Sequence, residues 1–294
     1  MSECLPDGAL LIDSSADLTP EIIDELGLET LYFTFVVNGV DHLDDFGRTV
    51  PRSALYDAMR AGGYASTAQM SRERFVEFFS GYARAGRPLL YLALSSALSG
   101  TFGTAQSALE EVLTEFPTAD IRIADTRAAS GAEGLMAYEA ALKWRAGTPL
   151  AEIAAWVEAA RPRLHGYFTV SDLEYLRRGG RVSGALAAVG GVLDVKPILQ
   201  LTPRGTIEPM RNVRGRHKSI RALAELVSER GERPGPARVF VMHGDCEDEA
   251  ERLAEIVRAD ANAPEVRVFE AGSTIGAHAG PGFLGLAFWG RREQ

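Results

Sequence analysis

Residues 89–108, LLYLALSSALSGTFGTAQSA, contain the pattern that decides the fold. The stretch opens with an apolar run, passes through a turn rich in hydroxyl groups, and continues as a helix-forming sequence, which predicts a buried strand, a turn and a helix start. The hydroxyl side chains of the turn are Ser95, Ser96, Ser99 and Thr101. In open α/β sheets, ligands bind at the carboxyl ends of strands, where helix N-termini direct backbone N–H groups at anions. The turn therefore fits an anionic or carbonyl head group and, equally well, an ordinary serine-capped helix start.

Strand and helix patterns alternate on both sides of this stretch. ALLID (9–13) and DIRIADT (120–126) predict further buried strands, and helices are predicted at 20–26, 71–84 and 130–146. This alternation is typical of a parallel sheet with helices on both faces. We therefore expect an N-terminal three-layer α/β domain over residues 1–162.

In the second half of the chain the predicted strands and helices alternate less regularly, and a β-hairpin is among them. KPILQLTPRGTIEPMRNV (196–213) predicts a β-hairpin that turns at 203–205, because Pro and Gly favour tight turns. VSGALAAVGG (182–191) predicts a helix of small residues, and STIGAHAGPGFLGLAFWG (273–290) predicts a loop that leads into a last strand. Residues 163–294 are therefore expected to form a C-terminal α/β domain with a mixed sheet.

Composition and charge exclude several classes of protein. The 294 residues include 46% hydrophobic and 24% charged side chains, as in ordinary globular proteins. A net charge of −9 argues against a general binder of nucleic acid or of anionic membranes. The long uncharged stretches, 88–109 and 271–290, are interrupted by Gly, Pro, Ser or Thr, so neither resembles a membrane span.

The cysteines and the N-terminus indicate a cytoplasmic protein. Cys4 and Cys246 are far apart in the sequence and form no CxxC motif, which is typical of reduced thiols in the cytosol. The first residues carry Glu3 and Asp7 and lack a basic region followed by a long apolar core, so no signal peptide is expected.

Six segments, in order along nearly the whole chain, resemble one family. They are LIDSSADLTPE (11–21), STAQMS (66–71), LSSALSGTFGTAQSA (94–108), DLEYLRRGGRVSGALAAVGGVLDVKPIL (172–199), VRGRHKSI (213–220) and GSTIGAHAGPGFLG (272–285). Together they resemble the DegV family of fatty-acid-binding proteins, whose bacterial members serve as the acyl-carrying subunit of a fatty acid kinase. The resemblance implies two domains with a long-chain fatty acid between them and a kinase catalytic subunit as partner. We expect no cofactor, and no metal site because the five His residues are scattered along the sequence.

The resemblance also implies which residues hold the fatty acid carboxylate. Thr67, Ser96 and His278 stand at the matching positions, with Ser95 and Gly280 nearby. The hydroxyl groups could instead be helix caps, but an uncharged pocket for a carboxylate needs such donors because an unpaired buried charge is costly.

Two arginines belong to the LRRGGR stretch of the family pattern, and three other residues differ from that pattern. Arg178 and Arg181 would lie near the head group or face the kinase, and a solvated surface is the other reading of both. Ala68 stands where the family usually has Ser, Met70 where it has Pro, and Ala279 where Thr is common. These departures lie beside the inferred ligand groups without replacing them, so they bear on loop shape and ligand preference.

A catalytic function is the alternative reading of the same residues. A serine hydrolase could use Ser96 or Ser99 with His278 on an acyl substrate, but the sequence contains no GxSxG motif. A nucleotide-binding reading of the Gly-rich stretch 179–191 also fails, because this stretch contains neither GxGxxG nor GxxxxGK[ST]. The metal motif HExxH is missing from the sequence. We therefore expect a lipid-binding protein that is not itself an enzyme.

Overall fold

The computed structural model of the protein describes residues 6–182, 195–233 and 235–292. The helix predicted at 182–191 lies outside these residues, apart from Val182. The described α-helices are α1 (Pro20–Leu26), α2 (Arg52–Arg60), α3 (Arg72–Ala85), α4 (Thr101–Glu115), α5 (Gly131–Arg145), α6 (Leu150–Ala160), α7 (Glu174–Arg178), α8 (Arg216–Arg230), α9 (Glu247–Asp260) and α10 (Ser273–Ala279). The described strands are β1 (Ala9–Asp13), β2 (Glu29–Leu31), β3 (Thr34–Val37), β4 (Val40–Leu43), β5 (Ala65–Ala68), β6 (Leu89–Ala93), β7 (Ile121–Asp125), β8 (Leu164–Thr169), β9 (Val195–Leu201), β10 (Ile207–Arg214), β11 (Arg238–His243), β12 (Glu265–Glu270) and β13 (Leu284–Trp289).

The stretch 89–108 forms β6, the turn after it and the first half of α4, as predicted. β6 pairs in parallel with β1 on one side and with β7 on the other, and β2 completes the order β2-β1-β6-β7. Every residue of β1 and β6 is buried, as expected for parallel strands covered on both faces. The hydroxyl-rich turn therefore lies at the carboxyl edge of the parallel sheet.

A three-stranded antiparallel sheet, ordered β4-β3-β5, is not predicted by the sequence patterns. Its strand β5 is four residues long and polar, so it carries no strand signal of its own. Pairing with β3 defines it, and this pairing sets Thr67 opposite Phe35. β5 also packs against α10, so Thr67 is brought to the second half of the chain.

The second half forms a six-stranded mixed sheet with the order β10-β9-β8-β13-β11-β12. β11 and β12 are parallel, and the other neighbouring strands are antiparallel. The β9–β10 hairpin turns at residues 203–205, as predicted, and Gly205 there has a φ of 82°. The predicted class, α/β with a parallel sheet followed by a mixed sheet, is therefore confirmed.

Helix α5 joins the two sheets into one core. It packs against β8, β11 and β13 of the mixed sheet and against α1 and α6 of the first half. Its residues Leu135 and Met136 share a continuous apolar cluster with Leu10 of β1 and Ala287 of β13. Such a helix has no polar face because both sides are covered. The boundary between residues 162 and 163 stays a prediction.

The segment 273–290 differs from the predicted loop because it begins with helix α10. The small residues and glycines of this helix favour a loop when judged locally. The helix forms because its first backbone N–H groups are accepted by the carboxylates of Asp17 and Asp44, which are distant in the sequence. His278 therefore lies on a helix, one residue before its end.

Candidate functional site

A cavity of about 340 Å³ lies where the parallel sheet, β5, α10 and the mixed sheet meet. Much of its wall is apolar and comes from both halves of the chain, including Ala132, Phe168, Leu201, Ile207, Met242 and Leu286. Hydrogen-bonding side chains line another part of the wall, including Thr67, Gln69, Ser99, Thr101, Arg181 and His278. Among the described residues, no Asp or Glu side chain lines the cavity. A volume and lining of this kind are typical of a small-molecule site.

Thr67 and His278 meet in the cavity wall. β5 supplies Thr67 and α10 supplies His278, and the Thr67 Oγ1 and His278 Nε2 atoms are 2.8 Å apart. Burial, followed by the positive charge of Arg181, lowers the pKa of His278 to about 4. The imidazole is therefore neutral at neutral pH. In the tautomer that carries its proton on Nε2, His278 donates to Thr67, and the threonine hydroxyl hydrogen is free to donate elsewhere.

The LRRGGR turn lies directly against His278. A Cβ atom on Gly179 would lie 2.3 Å from His278 Nδ1, so only glycine permits this approach of backbone to ring. Arg181 Nε donates to the carbonyl oxygen of Leu98 at 3.1 Å, and its Nη1 donates to the carbonyl oxygen of Gly179. These bonds hold a guanidinium group in the cavity wall. Burial lowers the pKa of Arg181 from its high ordinary value.

Arg178 lies on the protein surface. Its side chain is 49% exposed, and its Nε donates to Glu174 Oε1 at 2.8 Å. It is not among the residues that line the cavity.

Of the four hydroxyl groups in the turn after β6, two bond to neighbouring elements and two line the cavity. Ser95 is buried and donates to the carbonyl oxygen of Gly205 at 2.9 Å, and Ser96 is exposed and donates to Asp125 Oδ2 at 2.6 Å. Neither residue lines the cavity. Ser99 and Thr101 do, with their hydroxyl oxygens 2.9 Å apart at the first residue of α4. The hydrogen-bond acceptors on β7 and in the β9–β10 hairpin therefore determine which hydroxyl groups of the turn point away from the cavity.

Gly280 shapes the site without lining the cavity. It follows α10 with a φ of 78°, and a Cβ atom there would lie 2.2 Å from Tyr175 Cδ2. Glycine is therefore required where the chain leaves the helix that carries His278.

Three residues that the sequence did not single out support the site. Ser130 lines the cavity with a φ of 55° and donates to Asp17 Oδ2 at 2.5 Å. Asp17 and Asp44 are 2% and 1% exposed and cap α10. Burial raises the pKa of Asp17 to about 7. The DSSADLTP segment contains Asp17, but nothing in its local sequence shows that the carboxylate turns inward.

The geometry does not assemble a serine nucleophile. His278 Nε2 bonds to Thr67, and its Nδ1 has no hydrogen-bond partner among the described residues. The Ser96 and Ser99 hydroxyls bond to Asp125 and Thr101 instead. A serine hydrolase needs its nucleophile within hydrogen-bond reach of the base.

Comparison with known proteins identifies the family. The model of the DegV family, described as "Uncharacterised protein, DegV family", matches residues 8–291. The chain belongs to the DegV family. A DegV domain-containing protein of Clostridium perfringens is 37% identical over 285 residues, which cover 97% of this chain and 98% of the relative.

Solved DegV structures share the fold. The chain is similar to a fatty-acid-binding DegV family protein from Thermus thermophilus, with 28% identity, a TM-score of 0.82 and coverage of 97% and 100% of the two chains. It is also similar to DegV of Bacillus subtilis, a fatty acid binding protein, with 26% identity, a TM-score of 0.82 and coverage of 97% and 99%.

The structure also bears on membrane insertion and metal binding. Over the residues that the structure describes, no helix combines the length and the apolar character needed to cross a bilayer. The same residues contain no group of three or more His, Cys, Asp or Glu side chains placed to hold a metal ion.

Proposed function

We propose that this DegV protein binds a long-chain fatty acid in the cavity and presents its carboxylate to a partner kinase that forms the acyl phosphate. The observation that carries the proposal is the composition of the cavity wall. The wall combines a large apolar surface, a cluster of hydroxyl and imidazole groups and one guanidinium group. Among the described residues, no carboxylate lines it. An amphiphilic anion matches this lining, and relatives that share the fold are fatty acid binding proteins.

The head group lies at the Thr67–His278 pair in this proposal. The Thr67 hydroxyl, oriented by His278, donates to one carboxylate oxygen, and Ser99 and Thr101 offer further hydroxyl groups. Arg181 supplies the positive charge that offsets burial of the anion. Each charge-assisted hydrogen bond contributes about 1.5–3 kcal/mol. Ser95 and Ser96 hold the turn in place and so act on the head group indirectly.

The acyl tail lies along the apolar wall between α5 and the mixed sheet. Each buried methylene contributes about 0.8 kcal/mol, so a long chain contributes more to affinity than the head group does. The head group instead fixes the orientation of the ligand, which determines whether a carboxylate oxygen is presented for phosphoryl transfer.

The chain acts as a carrier and leaves catalysis to the kinase. The neutral, buried His278 bonds to a threonine and to no serine among the described residues, which supports a binding role. The surface position of Arg178 suits contact with the kinase. An Arg178→Ala variant should keep its fatty acid affinity and lose kinase-coupled turnover. A parallel loss of affinity would place Arg178 at the head group instead.

The proposal is tested by comparing two ligands that differ only at the head group. Protein stripped of lipid is titrated by calorimetry with palmitate and with hexadecanol. Palmitate should bind about tenfold more tightly or better, because only the carboxylate gains charge-assisted bonds. Binding of neither ligand would refute the proposal, and equal affinities would refute the head-group assignment. Acyl phosphate formed from ATP and palmitate without a kinase subunit would refute the carrier role.

A further inference from the structure

The helix that carries His278 begins between two buried carboxylates. The backbone N–H of Gly272 donates to Asp17 Oδ1 at 2.7 Å. The N–H groups of Ser273 and Thr274 donate to Asp44 Oδ1 at 3.1 Å and to Asp44 Oδ2 at 2.8 Å. Both acceptors come from the first half of the chain, so the start of α10 is fixed entirely by residues that are distant in sequence.

The helix depends on this cap because it is short. Seven residues make fewer than two full turns, and an isolated helix of that length is not stable in water. A negative charge at a helix N-terminus also interacts favourably with the helix dipole. A Cβ atom on Gly272 would lie 3.0 Å from Asp17 Oδ1 and 3.1 Å from Asp44 Oδ2, so the two carboxylates flank the backbone closely.

The cap determines the position of the site imidazole. His278 lies four residues after Thr274, about one helical turn further on the same face. Its Nε2 atom reaches Thr67 on β5 at 2.8 Å. A rotation or slip at the start of the helix would therefore move the ring away from Thr67.

We propose that Asp44 is a positioning residue that fixes α10 through two backbone hydrogen bonds and so holds His278 against Thr67. This inference rests on the proposed function only for its effect on ligand affinity. Asp44 does not line the cavity, and it acts on the imidazole through the helix.

Asp17 provides a matched contrast because its two oxygens bond differently. One accepts from the N–H of Gly272, and the other accepts from the Ser130 hydroxyl. An asparagine at position 17 can keep both bonds, because its amide N–H₂ can donate to the serine oxygen, and asparagine tolerates the left-handed backbone there. An asparagine at position 44 cannot, because both oxygens of Asp44 accept from N–H groups. Both substitutions exchange a carboxyl group for a neutral amide, but only Asp44→Asn loses a hydrogen bond to the backbone of α10.

The first test follows the NMR signal of the His278 imidazole in the ligand-free protein. The signal is assigned as the one that disappears in the His278→Ala variant. In the wild-type protein the imidazole should titrate near a pKa of 4. In Asp44→Asn its pKa should rise by about one unit or more toward the ordinary value, because the ring becomes more exposed. Asp17→Asn and the control Asp45→Asn, whose carboxylate accepts from the N–H of Thr49, should leave it unchanged. An unchanged titration in Asp44→Asn would overturn the proposal, as would equal shifts in Asp44→Asn and Asp17→Asn.

Ser273→Pro provides a second variant if Asp44→Asn does not fold. Proline is favoured at the first position of a helix, and of the three backbone N–H groups at the helix start it removes the one that donates to Asp44 Oδ1, together with the Ser273 hydroxyl. The φ of −64° and ψ of 169° at Gly272 suit a residue that precedes proline. A smaller shift of the His278 titration in the same direction is expected, and no shift would overturn the proposal.

The second test measures palmitate affinity. Asp44→Asn should weaken binding about tenfold in the wild-type background and less than about twofold in the His278→Ala background, because the two residues act through one contact. Equal losses in both backgrounds would overturn the proposal. If the wild-type protein takes up no fatty acid, the proposed function fails, and the His278 titration still decides whether Asp44 positions the ring.

Discussion

Enlarging Ala132 should shorten the fatty acid that the cavity accepts. Ala132 is 2% exposed at the start of α5 and lines the cavity. A Cβ atom on Gly166 would contact the Ala132 Cβ at 3.4 Å, so this part of the wall is formed by small residues on α5 and β8. A leucine at position 132 adds three carbon atoms to the wall, which displace about the same number of ligand methylenes.

The expected cost follows from the lost burial. Three methylenes at about 0.8 kcal/mol each give about 2.4 kcal/mol, or an approximately fiftyfold loss of affinity. This loss should appear with the chains that fill the cavity and not with shorter ones. Protein stripped of lipid is titrated with laurate, myristate, palmitate and stearate. Ala132→Leu should weaken stearate binding strongly and change laurate binding by less than about threefold.

The matched control is Ala155→Leu, which makes the same change at an exposed position on α6. It should leave the affinities for all four ligands unchanged. An equal loss for every chain length in Ala132→Leu would place Ala132 at the head group, and no loss for any of them would remove the tail from this part of the cavity. Either result would refute the path assigned to the tail.

Three further predictions concern the residues around the head group. Thr67→Val keeps the side-chain shape but removes the hydroxyl donor, so palmitate affinity measured by calorimetry should fall about tenfold, and a change below twofold would contradict the assignment. Asp17→Asn removes a carboxyl whose pKa burial raises to about 7. Because this pKa lies above the unfolded value, the wild-type protein loses stability as pH rises from roughly 4 to 7. The free energy of unfolding is measured with urea at roughly pH 5 and pH 8. Relative to the wild type, the variant should be more stable at the higher pH than at the lower one. Gly179→Ala places a Cβ atom 2.3 Å from His278 Nδ1 and should weaken palmitate binding, whereas Gly103→Ala, in open space on α4, should not.

The sequence predicts those elements whose stability is decided locally. The apolar run and the turn at 89–108 specify β6 and the start of α4, and the Pro-Arg-Gly turn specifies the β9–β10 hairpin. In each case the hydrophobic period and the turn residues agree with the observed structure. The parallel sheet follows because such strand and helix signals alternate along the first half.

The elements that the sequence does not predict are stabilised by distant partners. β5 is defined by pairing with β3, and α10 is capped by Asp17 and Asp44, which lie more than 200 residues away from it in the sequence. No local pattern can report such contacts. Both elements carry site residues, so the architecture of the site is harder to predict than the rest of the fold.

The residues of the candidate site are likewise only partly predictable from the sequence. The family resemblance selects Thr67 and His278, which the structure brings within hydrogen-bond distance. It cannot show which hydroxyl groups of the SSALSG turn face the cavity. Gly205 and Asp125 accept from Ser95 and Ser96, so the turn presents Ser99 and Thr101 to the cavity instead.

Mass spectrometry of the purified protein tests the central claim, fatty acid binding, most directly. The mass of the protein is measured under native conditions and again after denaturation, and the organic extract is analysed for lipids. The native mass should exceed the denatured mass by that of one long-chain fatty acid, and the extract should contain the same compound. If the two masses agree, both as purified and after incubation with palmitate and oleate, the cavity does not hold a fatty acid and the account is contradicted.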